Sequence, residues 1–599
     1  MLDNLRREMK KLGIDGFFVP RADEFQGEYV PPSAERLAFA TGFTGSAGNA
    51  VILMDKAGFF TDGRYTIQAA QQVDEKNFEI CNISEHQAPY PTITPTQWIE
   101  KHLKPGQIFG IDPWLHTAEG VKKIAESVEK SGGMLKMLDT NPLDAVWAHR
   151  PPAPVSPVTI QPLVYSGVTS QEKRAKIAAE LKSHGADFLA ITAPEDICWL
   201  LNVRGGDVPC NPFVLSYAMI GADGRVTWFV DEEKLSQHVI DWVGGGVDIQ
   251  ALIDFIPHLH NTAPGKKIWV DPAAAPYKAE MTVLNAGGFI HAARSPIALM
   301  KACKNEAEID GTIKAHIRDG VAVTRFLYAI SKQGAAAKHD EISSSDLLES
   351  IRAEDPLFRG LSFDTISGAG GNGAIVHYRA TEETKKPLLA GPVYLVDSGA
   401  QYQDGTTDIT RTLAVDTPNA EMKDRFTRVL KGHIAVAIAV FPEGTTGDKI
   451  DALARAPLKE IGLDYAHGTG HGVGSYLSVH EGPCSLSPRN TTVPLMPGMI
   501  LSNEPGYYEA GKYGIRLENL VTVIDTGKTN AQGKKLFAFE TLTLAQFDLN
   551  MVDPALLTTD ERLWLNAYHA RVFATLYPLL ESKDPVAAAF LKKNTQPLP

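Results

Sequence analysis

Three stretches of the second half of the chain carry acids and imidazoles in settings that packing alone does not call for. Val393-Tyr-Leu-Val-Asp-Ser-Gly399 reads as an apolar strand ending on Asp397, and Gln403-Asp-Gly-Thr-Thr-Asp-Ile-Thr-Arg411 supplies an Asp-Gly turn and a return strand with Asp408. A hairpin there would bring the two carboxylates together. A carboxylate directly after Tyr-Leu-Val is expected to be buried, which is costly unless it is paired, hydrogen-bonded or bound to metal. Taken alone, Asp397 could also cap a strand end or pair with Arg411. The second stretch is His467-Gly-Thr-Gly-His-Gly-Val-Gly474 followed by Val479-His-Glu-Gly482, which holds three of the 17 histidines. Alternating glycines let the backbone close around His467 and His471 while leaving the rings accessible. A glycine loop with satisfied histidines is the bland alternative. In the third, Pro505 restrains Glu504 to an extended conformation, and Glu518 is expected inside an apolar strand, Ile515 to Val523. Arg516, two residues before Glu518, would share its face and could pair with it.

Asp397, Asp408, His471, Glu504 and Glu518 thus offer four carboxylates and one imidazole. Crowded without cations, the acids would be driven toward protonation, whereas two divalent ions would balance them. Oxygen-dominated ligands favour Mn²⁺, with Co²⁺, Zn²⁺ or Fe²⁺ also allowed. Paired metals are a hydrolytic device. Gly368-Ala-Gly-Gly-Asn-Gly373 fits the glycine pattern of dinucleotide sites, but the next residues, Ala374 to Tyr378, read as short and β-like rather than helical. A glycine turn that delivers His377 to the same cleft is the better reading.

The elements that must position these residues fit several domains, since 599 residues exceed one ordinary core about fourfold. The chain opens with a charged helix and the buried strand Gly16–Val19. A second copy succeeds it, with a helix near 173–183 and the run Gly185 to Ala190, and Met54 to Asp62 matches Ala222 to Asp231. The first copy carries an insertion, Phe25 to Arg36. Two divergent α/β domains are therefore expected, divided by the proline-rich stretch 149–157. Asn305 and Glu308 have capping-box spacing ahead of a long helix, and from about 360 an α+β core begins. Thr558 and Glu561 cap a final helical segment in which Trp564 and Tyr568, at i,i+4, should pack rather than react. The expected boundaries are 1–150, 157–293, 294–547 and 548–599.

Net charge of −13 opposes binding to nucleic acid or an anionic membrane, and no apolar run reaches the length of a bilayer span. Five scattered cysteines without a C-x-x-C pair argue against a disulfide framework and for a cytoplasmic setting.

The segments Val396-Asp-Ser-Gly, Thr407-Asp-Ile-Thr-Arg-Thr, Gly468-Thr-Gly-His-Gly-Val-Gly, Asn503-Glu-Pro-Gly-Tyr and Gly514-Ile-Arg-Leu-Glu-Asn resemble, in order, the metal-binding segments of the pita-bread metallopeptidases. That family includes methionine aminopeptidase, prolidase, creatinase and aminopeptidase P, and the chain is most similar to the long, three-domain aminopeptidase P branch. The resemblance implies an α+β pita-bread catalytic domain preceded by two creatinase-like α/β domains, with a helical C-terminal extension. It implies two Mn²⁺ held by Asp397, Asp408, His471, Glu504 and Glu518, with Asp408 and Glu518 bridging and a hydroxide between the ions as nucleophile. Glu504, His377 and His480 are then the expected catalytic residues. Arg64, His377, His467, His471, His480 and Arg516 are the expected peptide contacts. The implied activity is cleavage of the N-terminal Xaa-Pro bond of peptides with proline second. A prolidase-like dipeptidase and an inactive peptide-binding module are the rivals. A homodimer is expected, both from the resemblance and from an apolar C-terminal helix in need of a partner.

Overall fold

A computed structural model of the chain describes residues 1–83, 90–331, 336–489 and 492–598. It divides into two compact units, Met1–Gln161 with Val168–Ala298, and Pro162–Gly167 with Leu299–Pro599.

The first unit contains two six-stranded sheets of one design. In the first the order is Glu79–Asn82, Ala57–Thr61, Asn49–Leu53, Gly16–Pro20, Ile108–Ile111, Met134–Met137; in the second it is Val247–Gln250, Val226–Phe229, Tyr217–Gly221, Phe188–Ile191, Lys267–Val270, Phe289–Ala292. In both, the strand that opens the copy pairs antiparallel with the next, which pairs antiparallel with a third, and the remaining pairings are parallel. The internal repeat legible in the sequence is therefore a repeat of topology. Gly16–Pro20 is buried at every position, as a strand inside a sheet covered by helices should be. The opening helix Leu2–Lys11 supplies part of that cover with Leu2, Leu5 and Met9 on one face. The insertion in the first copy has a packing role: Phe25 stacks on Tyr217 of the second copy at 4.7 Å, and Tyr217 stacks on Phe255 at 4.4 Å.

The long helix of the second unit, Glu306–Ala329, is closed at its start by the capping box of Asn305 and Glu308. Asn305 Nδ2 also donates to Ser166 O at 2.9 Å, which ties the short segment 162–167 to this unit. Two of its sheets matter most for the site. One has the order Ile366–Ala369, Val393–Ser398, Ile409–Ala414; the other has Val440–Pro442, Lys535–Thr541, Asn519–Thr529, Ile500–Asn503. Helices Ala420–Ala437 and Thr559–Lys583 share a core with Ile515, Leu517 and Phe547.

The long helix Thr559–Lys583, which Pro585–Asn594 follows, starts at the predicted Thr558–Glu561 box, and Trp564 lies 5.4 Å from Tyr568 with the rings nearly parallel. Its apolar face, Leu565, Val572, Leu576 and Leu580, is buried within its own chain. The expected need for an external packing partner is thus met internally, and the helix no longer argues for a dimer. All five cysteines are free thiols. Among the described residues no helix is long and apolar enough to cross a membrane.

Candidate active site

Strand Val393–Ser398 lies between Ile366–Ala369 and Ile409–Ala414, antiparallel to both. The register sets Asp397 opposite Thr410 and Ser398 opposite Ile409, so Asp397 and Asp408 come together at one end of the pair. The tight turn at Asp404-Gly405 belongs to a separate small hairpin, Ala400–Tyr402 with Gly405–Thr406. Strand Ile500–Asn503 delivers Glu504 at its end, where the Glu504 N–H donates to Thr469 O at 2.8 Å. Ser502 couples the next two groups: its hydroxyl accepts from His471 N at 2.9 Å and donates to Glu504 Oε1 at 3.1 Å.

Glu518 departs from expectation. It sits in a break between strand Tyr513–Arg516, which pairs with Gly506–Glu509, and strand Asn519–Thr529, which pairs with Ile500–Asn503. The chain changes sheets at Leu517-Glu518, freeing the Glu518 N–H to donate to Thr410 O at 3.1 Å while its carboxylate accepts from Thr410 Oγ1 at 2.8 Å.

The result is a buried acidic cluster. Asp408, His471 and Glu518 each present a ligand atom, all within 4.8 Å of one another, a group able to hold a metal ion. His471 Nε2 lies 3.4 Å from Asp408 Oδ2 and 3.5 Å from Glu504 Oε1. Its Nδ1 is 2.9 Å from Gly472 O, and a carbonyl can only accept, so Nδ1 carries the hydrogen. Burial, then Asp408, Asp397 and Glu504, push Glu518 well above the usual carboxylate range. Burial also raises Glu504, to about 7, against the pull of His471 and Arg516. Burial opposes the charge on His471, yet Asp408 and Glu504 lift it to about 9. Among the described residues, Asp397 Oδ1 is buried without a hydrogen-bond partner. Without cations the acids are driven to take up protons and the imidazole to keep its own. Dications would reverse both, so the donor set fits them.

The structure decides which arginine meets Asp397. Arg516 Nη2 reaches Asp397 Oδ2 at 2.7 Å and Nη1 reaches the Tyr508 hydroxyl at 2.8 Å; its side chain is 2% exposed. Arg516 therefore pairs with Asp397 rather than with Glu518. Arg411 points the other way, into the carbonyls of Thr410, Glu518, Ala545 and Gln546. His467 donates from Nδ1 to Gly468 O at 2.7 Å, leaving Nε2 to accept from the Tyr508 hydroxyl at 2.8 Å. Tyr508, pushed up to about 12 by burial, thus links His467 to Arg516, and no sequence signal singles it out.

The His480 ring stands edge-on to His471, with centroids 4.3 Å apart. His377 lies in a turn after a 3₁₀ helix, Gly370–Ala374, and the expected β-like run is absent. The glycines there serve close approach: a Cβ on Gly514 would fall 1.7 Å from Gly373 O. Tyr378, beside His377, is anchored through its hydroxyl to the buried Glu341, which also accepts from Ala369 N, Asn372 Nδ2 and Lys386 N. Arg64, in the first unit, bonds Asp62 through Nε at 2.9 Å and Nη2 at 2.7 Å.

The matches to known proteins run the length of the chain. Residues 1–143 and 149–308 each match a Creatinase/Prolidase N-terminal domain, 310–525 match metallopeptidase family M24, and 535–598 match the C-terminal region of that peptidase. A protein named "Probable Xaa-Pro aminopeptidase P" in Aspergillus fumigatus is 39% identical over 610 residues, covering 100% of this chain and 92% of its own, and its namesake in Talaromyces stipitatus is 40% identical with the same coverage. The crystal structure of an X-prolyl aminopeptidase from Caenorhabditis elegans, described as a cytosolic enzyme with a di-nuclear active site, superposes with a TM-score of 0.92 at 31% identity over 100% of both chains. A Xaa-Pro dipeptidase from Bacillus anthracis, 23% identical with a TM-score of 0.51, covers 64% of this chain and 99% of its own, and shows the shared fold. With both leading domains, the peptidase domain and the C-terminal region matched, and with such relatives spanning it end to end, the chain belongs to the aminopeptidase P branch of the pita-bread M24 metallopeptidases.

Proposed function

We propose that the chain is a metalloaminopeptidase that hydrolyses the N-terminal Xaa-Pro bond of peptides. The observation that carries this reading is the convergence of Asp408, His471 and Glu518 within 4.8 Å, with Glu504 beside His471, in a chain related over its whole length to Xaa-Pro aminopeptidases P. Asp397, Asp408, His471, Glu504 and Glu518 would hold two divalent ions. One imidazole among carboxylates suits Mn²⁺, with Co²⁺, Zn²⁺ or Fe²⁺ able to replace it. When bound, the ions would lower the pKa of a water toward neutrality and polarise the scissile carbonyl.

The remaining work falls to the chain. Glu504, oriented by the Ser502 hydroxyl, takes a proton from the attacking water and passes it to the prolyl nitrogen as the C–N bond breaks. That transfer matters because an Xaa-Pro nitrogen carries no hydrogen of its own and must leave as a secondary amine. His480, against His471, and His377, on its anchored turn, orient the peptide and donate to the oxygen that gains charge. His467 and Arg64 are further candidate peptide contacts, while Arg516 acts by holding Asp397. We also propose a cytoplasmic homodimer, in keeping with the cytosolic Caenorhabditis elegans enzyme for location; the dimer now rests on family likeness alone.

The test is turnover of Xaa-Pro peptides of increasing length by Mn²⁺-reconstituted protein, with His471→Ala as control. Release of the first residue from tripeptides and longer substrates is expected. Cleavage confined to dipeptides would make the chain a prolidase, and equal turnover by His471→Ala would overturn the site.

A further inference from the structure

Lys301, Lys304 and Glu481 form an ion trio that the proposed chemistry does not use. Lys301 lies in helix Pro296–Ala302, and Lys304 immediately precedes the Asn305 cap. Lys301 Nζ is 3.0 Å from Glu481 Oε2, Lys304 Nζ bonds Oε1, and all three side chains are at most 2% exposed. Stability does not call for such a cluster, because apolar side chains of similar volume commonly serve a core as well as or better than buried ions.

The carboxylate stands at the head of a short series of contacts that ends on His471. The Glu481 N–H donates to Gly472 O at 2.8 Å, the same carbonyl that accepts from His471 Nδ1 at 2.9 Å. With Nδ1 protonated, Nε2 presents its lone pair, and Nε2 is the atom that faces Asp408 and Glu504. Gly472 N–H donates in turn to Cys484 O at 3.1 Å, so the 481–484 segment grips the peptide after His471 from both sides. The fit leaves no space for a side chain: a Cβ on Gly472 would lie 2.1 Å from Glu481 O. Glu481 also directly follows His480, whose ring rests on His471.

We propose that Glu481, clamped by Lys301 and Lys304, is a positioning residue that fixes the Gly472 carbonyl and thereby the ring orientation and tautomer of His471. The inference rests on the reading of His471 as a metal ligand. Outer partners of metal-binding histidines act in this way, setting which nitrogen is free and where it points.

The test is calorimetric titration of metal-free protein with Mn²⁺, alongside thermal melting of the same metal-free samples. One variant carries Lys301→Met, Lys304→Met and Glu481→Gln together, replacing the ions with neutral groups of similar size. A second carries Lys304→Met alone and keeps a balanced one-to-one pair, so its folding is not at risk. The triple variant should melt near the wild type yet bind Mn²⁺ about 10- to 100-fold more weakly, with a smaller loss in the single variant. A dissociation constant within about twofold of wild type in the triple variant, or in Lys304→Met should the triple variant not fold, would overturn the inference. Wild type that binds no Mn²⁺, or His471→Ala that binds as tightly as wild type, would instead sink the site assignment itself.

Discussion

The Tyr568 hydroxyl, on helix Thr559–Lys583, offers a sharp test of how the C-terminal extension supports the site. It accepts from Ala545 N at 3.2 Å and from Arg411 Nη2 at 3.2 Å, and donates toward Ala545 O at 2.9 Å. Tyr568→Phe keeps the ring and its stacking on Trp564 and removes only the oxygen. The loss is unequal across partners. Arg411 Nη2 retains Asn519 Oδ1 at 2.8 Å and Ala545 O at 2.7 Å. The Ala545 N–H, fully buried, makes no other hydrogen bond among the described residues. One buried donor left unpaired costs about 1–3 kcal/mol, and that is the expected destabilisation. Because Arg411 Nη1 also donates to Glu518 O at 2.6 Å, part of the loosening should reach the acidic cluster. Differential scanning calorimetry reads the stability, and amide hydrogen exchange at Ala545 reads the local opening. Tyr577→Phe, which removes an exposed hydroxyl bonded to Glu581 on the same helix, is the control and should change nothing. If Tyr568→Phe melts like Tyr577→Phe and Ala545 stays protected, the argument from the unpaired donor is wrong.

Three further outcomes are expected. His116 in the first unit is buried edge-on against Phe18 and depressed by burial to about 3 from 6.5, so the folded state keeps it neutral while the unfolded chain protonates it. Its share of stability is full above about pH 6.5, is lost as pH falls, and amounts to about 2 kcal/mol lost near pH 5; His116→Leu should flatten that acid slope in denaturation curves, and an unchanged slope would refute the assignment. Gly514→Ala sets a methyl group 1.7 Å from Gly373 O and should cost about 1–3 kcal/mol or more, whereas Gly245→Ala, with nothing within 4 Å, should be neutral; equal melting temperatures would contradict the packing. Chelation should lower the melting temperature, and Mn²⁺ at about 100 times its dissociation constant should restore about 2.7 kcal/mol. His471→Ala should lose that response, and a metal-insensitive wild type would tell against the cluster as a cation site.

The features legible from sequence are those whose causes lie within a few residues. The Asn305–Glu308 and Thr558–Glu561 boxes start their helices where the spacing says they should, because a cap is satisfied three residues away. The repeated sheet is visible because both copies keep the same succession of charged helix, buried strand and turn. The acids and histidines of the cluster stand out because their types do not belong in apolar or glycine-rich surroundings unless something compensates them. Local pattern misleads where the chain changes partners: Ile515 to Val523 has unbroken strand periodicity, yet the two halves pair in different sheets and Glu518 falls in the break. Likewise Ala374 to Tyr378 has β-like composition, but close packing of Gly373 on Gly514 and the anchoring of Tyr378 on Glu341 set it as a turn.

Sequence alone thus determined the order of the domains and pointed to residues that could do chemistry. Only the tertiary structure decided the pairings among them. Arg411 and Arg516 were equally eligible for Asp397 by type, but strand register sets Arg411 opposite Val396, with its guanidinium on backbone carbonyls, and Arg516 reaches Asp397 from another strand. Lys301 and Glu481 meet across 180 positions, and no local pattern announces them. The physical reason is range: capping and periodicity are settled by neighbours along the chain, whereas the partner of a buried charge is whichever group the packing of distant segments leaves within about 3 Å of it.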